Sequence, residues 1–183
     1  KYMLWADFDY HNKKEVVTST KDLEFPYEYR NGQRDMVACT YSAIVRKKNL
    51  FVQAPTGIGK TMATVYPAIK AIGEGHGEKV FYLTAKTITR TVAASGFNIL
   101  RERGLHFKSV ILTAKEKMCL CENMDCNPDN CPYAKGHYDR INEAIFDVIN
   151  HEDDITREVL IEYANKHMVC PFELSLDVSL WVD

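Results

Sequence analysis

The pattern of apolar and polar positions divides the chain into three stretches of different texture. Residues 1–24 read as a hairpin: Lys1–Tyr10 is rich in aromatic and apolar residues, His11–Lys14 is a polar turn, and Glu15–Thr20 holds the β-branched residues of a second strand. Phe25-Pro26-Tyr27 breaks this pattern. In residues 25–114, short apolar runs alternate with helical stripes. Asn31–Arg46 carries Met36, Val37, Tyr41, Ile44 and Val45 on one face. Asn49–Ala54 (NLFVQA) is a strand, Lys60–Ile72 a helix, Val80–Thr84 (VFYLT) a second buried strand, Thr87–Arg103 a helix closed by Gly104, and Ser109–Thr113 (SVILT) a third strand. This alternation predicts an α/β fold with a parallel sheet and right-handed crossovers.

Residues 115–183 change character. Cys119–Pro132 is rich in turn residues and cysteine. His137–Asn150 then repeats Ile141, Ala144, Ile145, Val148 and Ile149 at helical spacing, and Asp153–His167 repeats Ile155, Val159, Leu160 and Tyr163. Cys170-Pro171-Phe172 opens a last helix. The expected organisation is an N-terminal extension (1–24), the first part of an α/β domain (25–114) and a helical insert (115–183).

Composition is that of an ordinary globular chain, with 46% apolar and 26% charged residues, and no apolar window is long enough to span a membrane. The net charge of −2 hides an asymmetry. Tyr27–Lys115 holds 14 Lys/Arg against 5 Asp/Glu, whereas Cys119–Cys170 holds 4 against 11. The basic stretch suits a polyanion, though two solvated surfaces of opposite sign would give the same counts. No signal segment opens the chain, which favours the reducing cytoplasm and metal or redox use of the six cysteines over disulfides.

The chemistry begins at Ala54–Thr61 (APTGIGKT). A strand, a Gly-rich turn and a helix in succession form a cradle for a nucleoside triphosphate, here ATP. Gly57 and Gly59 permit the sharp turn and bring backbone N–H groups close to phosphate oxygens. The helix beginning at Lys60 directs its positive end at them. Lys60 is placed to reach the β- and γ-phosphates and Thr61 to ligate Mg²⁺. Ala54, Pro55, Thr56 and Ile58 complete the loop.

The second constellation is Cys119, Cys121, Cys126 and Cys131, with Cys170 following 39 residues after Cys131. Thiolates are soft ligands. The spacing lacks the two paired knuckles of a structural zinc site and suits an iron–sulfur cluster better, with zinc and unligated thiols both left open. Cys39, inside a helix, reads as a small buried apolar residue.

Several segments together resemble the XPD/DinG-like family of superfamily 2 iron–sulfur DNA helicases, from about Phe25 onward. FPYEYRNGQRDM resembles its adenine-recognition element, with Gln33 reading the base and Arg30 nearby. APTGIGKT is similar to its motif I, including Ala where the general phosphate-loop pattern has Gly. FYLTAKTITRTVA is similar to motif Ia, which implies DNA contacts at Thr84, Lys86 and Thr87. LTAKEKMC, CNPDNCPYAKG and CPFELSLDVSLW resemble the segments that hold the cluster. The resemblance implies a [4Fe–4S] cluster on Cys119, Cys126, Cys131 and Cys170, with Cys121 left out. It further implies a RecA-like phosphate-loop domain carrying a helical cluster insert, single-stranded or forked DNA as partner, a second RecA-like lobe, and 5′-to-3′ unwinding driven by ATP. The family's strand ending in Asp-Glu-Ala-His is not found in these 183 residues. The expectation is therefore a truncated N-terminal portion that binds ATP weakly and does not unwind.

Other residues carry split readings. Lys86, Arg90, Arg101 and Arg103 could edge a DNA path, although Arg101 and Arg103 also suit a helix C-terminus. Tyr133, Lys135, His137 and Arg140 could line DNA or pack around the cluster. Two rival functions remain: a non-helicase ATPase with a zinc insert, and a non-catalytic nucleic-acid-binding module.

Overall fold

The computed structural model describes residues 2–85 and 87–183, with the side chains of all of these except residues 2 and 87–90. The elements run α1 (Tyr2–Lys21), α2 (Gln33–Val45), α3 (Lys60–Gly73), α4 (Thr87–Arg101), β1 (Ser109–Val110), α5 (Lys115–Met118), α6 (His137–His151), β2 (Asp154–Ile155), α7 (Arg157–His167) and α8 (Pro171–Val178). The chain divides into two compact units: residues 10–106, and residues 107–183 together with 1–9. The division falls near 106, not at the expected 114, because β1 pairs with β2 inside the second unit.

Residues 2–21 form a helix, not the expected hairpin. The polar stretch His11–Lys14 has neither Gly nor Pro to turn the chain. The hydroxyl residues after it accommodate to a helix by bonding back along it: Thr18 Oγ1 donates to the Lys14 carbonyl at 2.8 Å and Thr20 Oγ1 to the Val16 carbonyl at 2.9 Å.

In the 10–106 unit, α2 packs on α3 and α3 on α4. Val65, Ile69 and Ala71 of α3 are buried with Ala93, Phe97 and Leu100 of α4. Lys70 Nζ donates to the Thr20 and Lys21 carbonyls at 2.7 and 3.0 Å, supplying partners for the end of α1. Gly73 is obligatory at this approach, since any Cβ there would collide with Thr20. Gly104 closes α4 as the sequence predicts: it takes φ 92°, and the Leu105 N–H returns to the Leu100 carbonyl at 3.1 Å.

The expected strands of this unit are corrected. Asn49–Ala54 and Val80–Thr84 form no strand among the described residues, and Phe51, Phe81 and Leu83 are 94%, 75% and 88% exposed. A parallel strand needs at least one hydrogen-bonding partner and cover for its faces, both supplied by distant segments. The third expected strand forms only at Ser109–Val110, and its parallel partner is Asp154–Ile155. Cys39 is exposed, not buried.

The second unit is a helical assembly. α6, α7 and α8 pack mutually, and α5 packs on α8. Ile141, Ala144, Ile145, Val148 and Ile149 of α6 are buried, as their spacing predicts. They meet Leu160, Tyr163 and Ala164 of α7 and Leu174 and Val178 of α8. Trp5 closes this core against Trp181 and Phe146, with ring centroids 4.4 and 5.4 Å away. α7 begins later than the expected Asp153, because Asp154–Ile155 pair with β1 and Thr156 caps the helix by accepting from the Val159 N–H at 3.4 Å. No helix among the described residues is long and apolar enough to cross a membrane.

Candidate nucleotide and thiol sites

The Ala54–Thr61 loop sits directly ahead of α3. Gly57 and Gly59 have φ of 90° and 80°, in the left-handed region that the motif demands of them. Gly59 stands at the N-cap of α3 and no side chain caps it, so the first-turn backbone N–H groups of α3 have no partner within the helix and face the end at which a polyphosphate is held. Lys60 is exposed, and its ammonium folds back to donate to the Ala54 and Pro55 carbonyls at 3.2 and 2.9 Å.

Gln33 and Arg30 are brought to this loop. Gln33, only 3% exposed, accepts the Arg30 N–H at 3.1 Å and donates through Nε2 to the Gly59 carbonyl at 3.3 Å. Arg30 Nη1 donates to the Gly57 carbonyl. Both side chains brace the loop. A Cβ at Gly59 would collide with the Gln33 amide, so this glycine is fixed twice, by its φ and by the approach of Gln33. Of the expected DNA contacts, Thr84 is half-buried, Lys86 lies outside the described residues, and the Thr87 side chain is likewise not described although its backbone opens α4.

The cysteines form the second site. Cys119, Cys126, Cys131 and Cys170 all line one cavity of about 260 Å³, and Cys121 lines it with them. Each comes from a differently supported segment. Cys119 ends α5, Cys170 caps α8 ahead of Pro171, and Cys126 and Cys131 flank a loop held by Asx bonds. In that loop Asp125 accepts from the Asn127 N–H at 3.0 Å and from Asn130 Nδ2 at 2.6 Å. All five thiols are free. Cys121 Sγ lies 3.8 Å from Cys131 Sγ.

The electrostatics fit a soft metal group. Burial, then the Cys131 and Cys119 sulfurs, push the Cys121 thiol up to about 11. Burial also raises Cys170. Crowded thiols resist ionising together, and a bound cation removes that resistance. Lys115 supplies one positive charge: its hydrogen bond to Cys126 is the main cause of its raised pKa, and Glu173 lies 3.8 Å from its ammonium. Among the described residues no three His, Cys, Asp or Glu side chains converge as ligands of one ion. The thiols border a space instead of meeting at a point.

Three residues support the site, of which sequence reasoning missed only Lys115. His137, read as lining DNA or packing around the cluster, is buried, and that burial lowers its pKa; Nδ1 of the neutral ring accepts the Cys170 N–H at 3.3 Å. Arg140 is a clamp between ligand-bearing segments. It donates to the Lys135 carbonyl at 2.6 Å, four residues after Cys131. It also donates to the His167 carbonyl at 3.0 Å and the Met168 carbonyl at 2.6 Å, just before Cys170. Gly136, at φ 67°, leaves room for it: a Cβ there would stand 2.6 Å from Arg140 Nη1.

Comparison with known proteins agrees with the loop. The sequence model of the DEAD/DEAH box helicase family matches residues 31–142, more than half of the chain, and the chain belongs to that family. A stretch of 47 residues is 45% identical to a probable ATP-dependent helicase of Methanocaldococcus jannaschii. That stretch is 25% of this chain and 7% of the relative's length. No solved structure matches. The family implies a RecA-like fold and use of ATP with Mg²⁺; the described residues form one two-stranded parallel sheet, β1–β2.

Proposed function

We propose that this chain is the ATP-binding and cluster-bearing portion of an XPD/DinG-like, ATP-dependent DNA helicase that moves 5′ to 3′ on single-stranded or forked DNA with the help of a second RecA-like lobe. The observation that carries the reading is the cavity. Four cysteines selected by resemblance, one of them 39 residues beyond the nearest of the others, line a single space in a chain of the helicase family.

At the nucleotide site, the N–H groups from Gly57 to Thr61 would hold the phosphates. Lys60 would release the Ala54 and Pro55 carbonyls to reach the β- and γ-oxygens, while the Thr61 hydroxyl ligates Mg²⁺. Mg²⁺ neutralises phosphate charge. Gln33 and Arg30, already bonded to the loop carbonyls, would couple base recognition to loop geometry. Thr84, Lys86 and Thr87 would contact the DNA backbone.

At the thiol site, Cys119, Cys126, Cys131 and Cys170 would hold a [4Fe–4S] cluster, and its four iron–sulfur bonds would tie α5, the 126–131 loop and α8 together. His137 and Arg140 would set the position of Cys170 relative to Cys131. One observation favours a zinc rival: two thiolates on a tetrahedral zinc stand about 3.8 Å apart, given Zn–S of about 2.3 Å, and Cys121 and Cys131 are at that spacing.

Anaerobic purification with iron, sulfide and zinc analysis tests the reading. The expected result is iron and sulfide in equal amounts, about four of each per chain. Iron-free protein with one zinc per chain overturns it. In parallel, the isolated chain binds MgATP weakly and Lys60→Ala abolishes the binding; substantial ATP hydrolysis by this chain alone contradicts the proposal, because no Asp-Glu-x-His motif is present in its sequence.

A further inference from the structure

Cys121 is the thiol for which the helicase reading has no use, and its position is the most informative in the cavity. Its sulfur is 3.8 Å from that of Cys131. A disulfide bond is about 2.05 Å long, so closure needs an approach of about 1.8 Å. Cys121 lies in an irregular bend between α5 and the Asx-bonded loop, and no helix or strand fixes it. Cys131 is buried and anchored, its N–H bonded to the Asn127 carbonyl at 2.9 Å and its carbonyl accepting from Ala134 and Lys135 at 3.1 and 3.0 Å. A partner in an irregular bend facing a partner held by three backbone hydrogen bonds is the arrangement in which a small adjustment of the bend completes the bond. Of the remaining thiols, Cys126 is engaged by Lys115, and Cys119 Sγ points to the Cys121 carbonyl at 3.8 Å while also lying close enough to Cys121 to affect its thiol.

We propose that Cys121 and Cys131 form a reversible disulfide when the cavity carries no metal group, so that oxidation and cluster binding compete for Cys131. The competition rests on the cluster reading above; the disulfide itself does not. The oxidant is a hydroperoxide. One thiolate attacks a peroxide oxygen, the O–O bond breaks, and a sulfenic acid forms with loss of water or alcohol. The second thiolate then attacks that sulfur, the S–S bond forms, the S–O bond breaks, and water leaves. Two thiols supply two electrons and two protons; hydrogen peroxide becomes two waters. A dithiol reverses the step by exchange. The bond would shelter Cys131 from further, irreversible oxidation while the site is empty of metal.

The test uses the full chain, freed of metal by a chelator under reducing conditions, then given one equivalent of hydrogen peroxide. Cleavage before aspartate separates the thiols, because Asp125 and Asp129 divide Cys119 and Cys121 from Cys126, and Cys126 from Cys131. The expected product is a linked pair of peptides two hydrogens lighter than their sum, with fragment masses assigning the bond to Cys121 and Cys131. Cys121→Ser gives no such link and carries Cys131 to the sulfinic acid. Oxidised wild type takes up no iron on reconstitution until dithiothreitol is added, and Cys121→Ser holds as much iron as wild type. A link between any other pair overturns the proposal, as does full iron uptake by the oxidised chain. Loss of iron from Cys121→Ser overturns it too, by making Cys121 a ligand. Failure of reduced wild type to bind iron sinks the cluster reading and leaves the linkage result standing.

Discussion

The two units bury their apolar residues by different means. In the helical unit, α6, α7 and α8 satisfy their own backbones and press adjacent stripes together, so Leu160, Ile149 and Leu174 are fully buried in a core built mainly from neighbouring helices, with Trp5 and Phe8 of α1 added to it. In the 10–106 unit the helices α3 and α4 pack likewise, yet the two apolar runs that read as strands leave Phe51, Phe81 and Leu83 in solvent. Strands borrow both hydrogen bonds and cover from elsewhere in a sheet; helices need cover alone. The thiol cavity is bordered by helices with a packed core of their own, whereas the phosphate loop is held by its neighbours Gln33 and Arg30.

The largest expected effect contrasts the two directly. Leu160→Ala destabilises the helical unit by about 3 kcal/mol in chemical denaturation, since it empties a filled core position. Phe51→Ala, at an exposed position, changes stability by no more than about 0.5 kcal/mol. Equal losses would erase the comparison. Next, Arg140→Ala removes a guanidinium bonded to three carbonyls and costs about 2 kcal/mol, with faster iron loss in air than wild type. Gly136→Ala costs about 1–2 kcal/mol through its left-handed φ and its contact with the same guanidinium. Lys60→Ala leaves the denaturation midpoint unchanged and removes nucleotide binding in a titration with a fluorescent ATP analogue, because the exposed lysine braces nothing but loop carbonyls.

The smallest effect is on acid stability. Burial alone would raise the Asp147 carboxyl, but hydrogen bonds from Lys166 and His167, at 2.6 and 2.7 Å, more than offset it and hold the group below its ordinary range. A depressed carboxylate contributes stability in full above its unfolded value of about 3.9 and loses it as pH falls through the folded value. Denaturation midpoints of Asp147→Asn should then depend less on pH below about 4 than those of wild type.

What could be read from sequence follows the same division. The α6 stripe, the Gly104 cap and the phosphate loop are local patterns, and each stands where the sequence puts it. The residue 2–21 helix was misread because four polar residues resemble a turn when their missing Gly or Pro is given too little weight. The β1–β2 pair depends on a partner 45 residues away, and nothing at Ser109–Thr113 announces it. The cavity was legible as a set of cysteines and His137 and Arg140 as neighbours of it, but the carbonyl and N–H groups they hold were not. Arg140 acts on carbonyls 27 and 28 residues distant, and a Gly four residues before an Arg, as at Gly136, is the only local hint of it.

The central claim is that four cysteines bind the cluster and the fifth does not. Iron and sulfide content across Cys119→Ser, Cys121→Ser, Cys126→Ser, Cys131→Ser and Cys170→Ser measures it most directly, each variant purified anaerobically and checked for helical content. The account predicts loss of iron in every variant but Cys121→Ser, which stays at the wild-type level. Iron retained in Cys119→Ser and lost in Cys121→Ser, or no dependence on any of the five, contradicts it.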